Sequence, residues 1–275
     1  MRGLTPPAPH TPPAPSSPPT TPVRVLKFGG SVLRDEHTIA EAAREVVRFR
    51  ERAERVVAVV SALHGVTDRT LERARQLTEA RAESVESACP HALAAAISVG
   101  EHESASWLAL HLALLGHSAP VLTPAALKLT ARGDPLDADP VSIDLAHLEH
   151  ALDTHAVAVI PGFAAIDRHG RTVTLGRGGS DLTALFLAAS LQHAGWHATC
   201  RLVKDVDGLY DRDPAHAGAL RFEHACYDDC LTTDGSIVQF KGVRFAQNHP
   251  LSFELGTIGR DDPTTIGLQP VGATG

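Results

Sequence analysis

The sequence predicts an α/β fold with a mostly parallel central sheet, and three observations lead there. Short apolar, β-branched runs alternate along the chain with stretches of helical periodicity. The run V-V-A-V-V within Arg55–Ala62 is apolar at every position, as a strand buried on both faces is. Two glycine-rich segments, Gly29-Gly30 and Gly176–Gly179, stand where a strand gives way to a helix. Glycine lets a backbone approach an anion closely, and the N–H groups that open the following helix then point at it.

The elements follow in order. Val23–Phe28 is a strand ending at the first glycine pair, and Asp35 caps a helix running to about Ala53, with Ile39, Ala42, Ala43, Val46 and Val47 at helical spacing. After the strand Arg55–Ala62, helices are expected over Asp68–Ala80, Pro90–Ser98 and Ser104–Leu115, then a brief strand at Pro120–Leu122. Lys128–Pro140 is polar and holds Gly133, Pro135 and Pro140, so it reads as a loop long enough to be a lid. Ser142–Asp153 is expected to be helical and Val157–Pro161 a buried strand. Ala164–Leu175 reads as a hairpin turning at Arg168-His169-Gly170. A helix from Ser180 to about Ala194 leads to the strand Ala198–Val203, and two shorter helices and the strand Leu251–Leu255 close the domain. Residues 1–22, rich in Pro, Thr, Ala and Ser, bury too little apolar area to offset ordering and read as a disordered tail.

Bulk properties narrow the function. The 275 residues, 43% hydrophobic and 21% charged, suit a globular protein of one large domain or two lobes. A formal charge of −7 with no basic cluster argues against a nucleic-acid partner. No apolar run approaches the roughly 20 residues that span a bilayer, and no secretory signal opens the chain. Cys89, Cys200, Cys226 and Cys230 show no C-x-x-C spacing, so reduced thiols in the cytoplasm are expected. Cys226 and Cys230 lack a second ligand pair, and no metal site is assigned to them.

Charge that can do chemistry sits at Lys27, Glu101, the group Arg177–Asp181 and Lys204-Asp205. Most of these fall just beyond a strand's C-terminal end, where open α/β sheets bind ligands. Lys27, directly before the glycine pair, suits a phosphate contact. Arg177, flanked by glycines, suits a bidentate fork on a carboxylate or phosphate. Asp181 suits holding Mg²⁺ or fixing a lysine. Neither a P-loop nor the protein-kinase signature is present. Two facing glycine-opened clefts make phosphoryl transfer the first hypothesis.

The motifs then carry a resemblance. K-F-G-G-S-V at Lys27–Val32, V-V-S-A-L-H-G-V-T-D at Val59–Asp68, S-V-G-E at Ser98–Glu101, G-R-G-G-S-D-L-T-A at Gly176–Ala184 and K-D-V-D-G-L-Y-D-R-D-P at Lys204–Pro214 resemble the aspartate kinases of the amino acid kinase family, in order and spacing. The resemblance runs from about Val23 to Gly267. It implies a three-layer α/β/α sandwich over residues 23–268, with an amino-acid lobe to about 160 and a nucleotide lobe from about 161. It implies ATP and Mg²⁺ as cofactors and transfer of the γ-phosphate to the side-chain carboxylate of aspartate. Lys27 and Asp181 would be catalytic. Ser61, Glu101, Arg177, Gly178, Gly179 and Ser180 would bind the amino acid, with Glu101 on its α-amino group and Arg177 on its α-carboxylate. Gly29, Gly30, Ser31, Lys204, Asp205, Tyr210 and Lys241 would serve the nucleotide. Dimerisation is common among these proteins, so a homodimer is an expected state.

The chain departs from the pattern in four places. One residue is missing between Gly30 and Ser31, where the family reads K-F-G-G-T-S-V. Lys204 stands where a threonine is usual. The F-G-A-K-V-L-H-P block is replaced by Asp234–Lys241, which puts Ile237 at the place of a phosphate-contacting lysine and leaves Lys241 or Lys204 to stand in. The sequence also stops where most relatives continue into regulatory domains, so inhibition by lysine or threonine is not expected. Two alternatives stay open at this point: a kinase for another small acid, and a weakly active member that binds ligand as a partner subunit.

Overall fold

The computed structural model describes residues 21–79, 83–232 and 237–268. The expected tail therefore lies outside the described residues apart from Thr21 and Pro22, as do Asp234, Gly235 and Ser236 of the replaced block and the expected helix end at Ala80.

In chain order the elements are β1 (Val23–Phe28), α1 (Glu36–Arg50), β2 (Arg55–Val60), α2 (Val66–Gln76), α3 (Val85–Ala88), α4 (Pro90–Ile97), α5 (Val99–Leu114), β3 (Thr130–Asp134), β4 (Asp137–Ser142), α6 (Ala146–Thr154), β5 (Val157–Pro161), β6 (Ala164–Ile166), β7 (Thr172–Thr174), α7 (Gly179–His193), β8 (Ala198–Val203), β9 (His224–Cys226), α8 (Tyr227–Thr232), α9 (Phe240–Asn248), β10 (Phe253–Gly256) and β11 (Thr264–Gly267). Among the described residues the main sheet has seven strands in the order β5-β2-β1-β8-β10-β11-β9, and only β10 and β11 run antiparallel to each other. One face packs against α1 and α5 through Leu26, Phe28, Ala42, Val46 and Leu108; the other packs against α6, α7 and α9 through Val25, Val57, Leu148, Leu185 and Val243. This is the expected three-layer sandwich. The chain moves outward from β1 through β2 to β5, then returns to the other side of β1 with β8. Strand order therefore reverses between β1 and β8, which opens a crevice at their C-terminal ends.

The cap at Asp35 forms as expected: its carboxylate accepts from the Thr38 N–H at 2.9 Å, and the Thr38 hydroxyl closes the capping box. The main correction concerns Lys128–Pro140. It is not a loop but the hairpin β3–β4, which joins β6 and β7 in a second, four-stranded sheet of order β4-β3-β6-β7. Proline argues for a loop because a sheet interior excludes it, whereas Pro140 lies on the edge strand β4, where a missing donor costs little. The hairpin at Arg168-His169-Gly170 forms as expected and supplies β6 and β7. These strands pair with the 130–142 hairpin, across the expected lobe boundary at 160/161. Pro120–Leu122 contributes only an isolated bridge, Val121 to Val159. The helix expected from Ser142 starts at Ala146, because Ser142 is still paired with Thr130 in the hairpin. The short strands β9 and β11 add to the expected set. Among the described residues no helix is long and apolar enough to cross a membrane.

Candidate active site

Strand parity places the charged groups. Along β1, Val23 and Val25 pack on the α7 side and Leu26 and Phe28 on the α1 side, so the two-residue period carries Lys27 to the α7 side. Along β8, Ala198, Cys200 and Leu202 take the α7 side, and Lys204, one residue past the strand, continues that series. Lys27 pairs in register with Leu202, so both lysines reach the same level under the first turn of α7. There Asp181, 2% exposed, receives them: Lys27 Nζ lies 2.7 Å from Oδ1 and Lys204 Nζ 3.0 Å from Oδ2.

Helix α7 starts here because Gly178 adopts φ +76° as its N-cap, a conformation that favours glycine. A Cβ at Gly178 would also lie 2.4 Å from the Gln239 side chain. No side chain caps the helix, which leaves first-turn N–H groups for an anion. On the opposite wall, Gly100 lets α5 approach the loop after β2, since a Cβ there would meet Ala62 at 2.7 Å. The close approach carries Glu101 into the interior, where its carboxylate accepts the Ala62 N–H while Oε2 meets no hydrogen-bond partner among the described residues.

Two clefts meet at the lysine bridge. The first, about 790 Å³, is lined by Lys27, Gly30, Ser31, Ser61, Glu101 and Arg177–Ser180 together with the 62–65 loop. The second, about 580 Å³, is lined by Ser31, Lys204, Asp205, Tyr210, Asp213, Pro214 and Ile237 among others. Ser31 belongs to both, Lys27 opens on the first and Lys204 on the second. Gly29 closes the turn between them, its carbonyl accepting from the N–H groups of Val32 and Leu33. Arg177 is exposed at the mouth of the first cleft, donating to Gln239 Oε1 at 3.2 Å. Tyr210 donates to Asp207 at 2.7 Å.

Lys241 is the exception among the expected residues. It lines neither cleft: its ammonium is spent on Asp137 Oδ1 at 2.6 Å, Asp139 Oδ1 at 3.2 Å and the carbonyls of Ala138 and Leu175. Four residues past Ile237, at the start of α9, it meets the β3–β4 hairpin, the segment whose prolines and glycine suggest a loop. Phe163, which no motif marks, also lines the first cleft, and so does His64, which the 59–68 motif contains but which carried no expected role. Phe163 holds φ +69°, strained for a non-glycine residue and braced by the Thr183 hydroxyl, which accepts its N–H at 3.1 Å. No sequence signal marks such a residue.

The electrostatics are unbalanced. Burial drives the Lys27 ammonium down to about 8, with the charge of Lys204 adding to burial and Asp181 opposing both. Burial alone would raise the Asp181 carboxyl, but the charges of Lys204 and Lys27 outweigh it and hold it at about 2. Burial pushes Glu101 up to about 7 despite the Ala62 N–H and the positive charge of Lys27. Both Asp181 oxygens are taken by lysines, and no group of three or more His, Cys, Asp or Glu converges among the described residues. Of the two roles open to Asp181, fixing lysines is the one this geometry fits. Mg²⁺ fits here only as an ion carried on a nucleotide's phosphates, as it commonly is.

Residues 22–243 match the amino acid kinase family. The chain is 29% identical over 246 residues to aspartate kinase Ask_LysC of Stutzerimonas stutzeri and 30% identical to the aspartokinase of Pseudomonas aeruginosa. Each match covers 88% of this chain and 57% of the relative, so the chain spans little more than half of their length. Among solved structures, aspartate kinase from Synechocystis superposes with a TM-score of 0.75 at 27% identity, covering 91% of this chain and 40% of that one. E. coli aspartokinase III in complex with aspartate and ADP shares the fold (TM-score 0.69, 22% identity, 90% and 65% coverage), as does UMP kinase from Ureaplasma parvum (0.60, 16%, 90% and 99%). A parallel sheet whose order reverses at a lysine-bearing strand end, the glycine-opened helix above it and a match over most of the chain lead to one conclusion: this protein belongs to the amino acid kinase family.

Proposed function

We propose that this chain transfers the γ-phosphate of ATP to the side-chain carboxylate of L-aspartate, forming 4-phospho-L-aspartate. The observation that carries the reading is the buried Lys27–Asp181–Lys204 bridge at the joint of two clefts, with Glu101 held in the first. An amino-acid acceptor is supported by the Glu101/Arg177 pair, because a carboxylate and a guanidinium in one cleft match an α-ammonium and an α-carboxylate. A phosphate or carbamate acceptor would have no use for that carboxylate. The relatives named as aspartate kinases point the same way.

The chemistry asks little of a base. An aspartate side chain in water, with an ordinary pKa of about 3.9, is ionised at neutral pH, so no proton has to be removed from it. The barrier is the approach of one anion to another, which positioning and fixed positive charge lower. In this reading Lys27, held by Asp181, faces the transferring group from the acceptor side. Amides at the start of α7, with Gly178, Gly179 and Ser180, hold the acceptor's anionic end. Gly29, Gly30 and Ser31 carry the backbone between the two ligands, and Asp205 and Tyr210 flank the nucleotide. Mg²⁺ bound to the phosphates supplies further positive charge. Incubating the protein with ATP, Mg²⁺, hydroxylamine and a panel of small acids tests the proposal. Hydroxamate formed with aspartate alone supports it; hydroxamate with a different acid, or none, overturns it in favour of another carboxylate kinase or a binding subunit.

A further inference from the structure

Two buried ammonium groups share a single carboxylate in this protein. Lys27 and Lys204 are 5% and 9% exposed and Asp181 is 2% exposed, so among the described residues one positive charge is buried without a counter-ion. The other groups facing Lys27 do not cancel it: the Cys200 thiol is held neutral by burial, and Glu101 is half protonated near pH 7. An uncompensated buried charge is expensive to fold, and a site keeps one only where an anion arrives to neutralise it. Lys204 is the more exposed of the two. Among the described residues its ammonium meets one partner, Asp181 Oδ2, which leaves two of its three donors, and it lines the second cleft rather than the first. Lys241, the other candidate cation, has its donors filled by the hairpin and the Leu175 carbonyl.

We propose that Lys204 is the second phosphate-binding cation of this site, contacting the terminal phosphate of the bound nucleotide from the side opposite Lys27. The proposal deepens the reading of the two clefts given above and rests on it. In the transfer, an acceptor carboxylate oxygen forms a bond to the γ-phosphorus as the bond from that phosphorus to the β,γ-bridging oxygen breaks. The electron pair of the broken bond stays on the departing diphosphate, and no proton changes hands. Charge therefore grows on the leaving side, which is the side Lys204 occupies. The strand end after β8 thus supplies a cation that the replaced 234–241 block does not bring to the cleft.

The test is the preference for ATP over ADP, measured by calorimetry on the full chain as wild type, Lys204→Met and Lys204→Gln. The glutamine variant keeps a donor for Asp181 in case the methionine variant folds poorly. Both variants are expected to lose about 10-fold or more of that preference, and kcat about 10²–10³-fold, with the KM for the acceptor little changed. The alkaline limb of the rate profile is expected to move to higher pH, since Lys204 no longer repels the charge on Lys27. An unchanged ATP/ADP ratio in a folded variant overturns the proposal, as does an unmoved alkaline limb. Nucleotide discrimination needs no acceptor, so a wild type that prefers ATP yet makes no aspartyl hydroxamate defeats the aspartate assignment and leaves this one standing.

Discussion

The two faces of the main sheet each carry a cluster of charge, and the two clusters are built on opposite principles. On the α1 face, the guanidinium groups of Arg24, Arg48, Arg52 and Arg201 surround the Phe49 ring at 4.8–5.3 Å. Each is paired: Arg24 with Glu54 at 3.0 Å and Glu254 at 2.9 Å, Arg201 with Glu254 at 2.7 Å, Arg48 with Glu45 at 2.5 Å and Arg52 with Asp261 at 2.8 Å. On the α7 face, two lysines meet one aspartate, and Glu101, half protonated near pH 7, faces Lys27 from the wall of the first cleft. The balanced cluster ties α1, β1, β8 and β10 together. The unbalanced one holds a charge in reserve, at a point where two clefts open on it. Matched charge builds the fold here, and unmatched charge marks the site.

Substitutions on either face test this contrast. Lys27→Ala should lower turnover by at least about 10³-fold, worth about 4 kcal/mol of transition-state stabilisation, with a melting temperature no lower than wild type because a buried charge is removed. Near-wild-type turnover in that variant would refute the role given to Lys27. On the other face, Glu254→Ala leaves Arg24 and Arg201 short of a partner and should cost about 2–4 kcal/mol of stability with kcat unchanged within about twofold. Denaturant titration beside initial rates separates the two outcomes, and a large fall in kcat would erase the distinction between the faces.

Glu101→Gln probes the active face more finely. The acceptor KM should rise about 10–100-fold, as expected for losing one charge-assisted contact to an ammonium. Its stability effect has a defined sign. The folded pKa of about 7 exceeds the ordinary 4.5, so the group's contribution is in place below about pH 4.5 and is lost as pH rises through 7. The glutamine variant should therefore be the more stable protein at pH 8 and no more stable at pH 4. The smallest effect is the profile of kcat/KM in the wild type. It should rise as Glu101 deprotonates near 7 and fall as Lys27 loses its proton near 8, giving a narrow bell. A plateau extending past pH 9 would mean that Lys27 keeps its charge by other means.

Much of this is legible in the residues. Continuous apolar runs mark β2 and β5, short apolar runs broken by single charges mark β1 and β8, helical spacing marks α1, and the apolar stretch after the glycines marks α7. Gly176–Asp181 announces a helix start because that turn favours glycine so strongly. Short elements escape: β9, β11 and the β3–β4 hairpin carry few apolar residues, and Pro140 and Gly133 argue against a strand until the edge position of β4 is known. The side chain of Lys241, one turn from where a nucleotide lysine is sought, has no assignable direction until the hairpin that captures it exists.

The succession of the main strands and helices, the glycine turns and the identity of every charged group follow from the sequence alone, since each rests on local pattern and backbone sterics. Tertiary structure alone decided which charges share a partner. Whether Lys204 or Lys241 meets Asp181 depends on β8 lying beside β1 with their strand ends in register, and burial then sets how much each proton is worth.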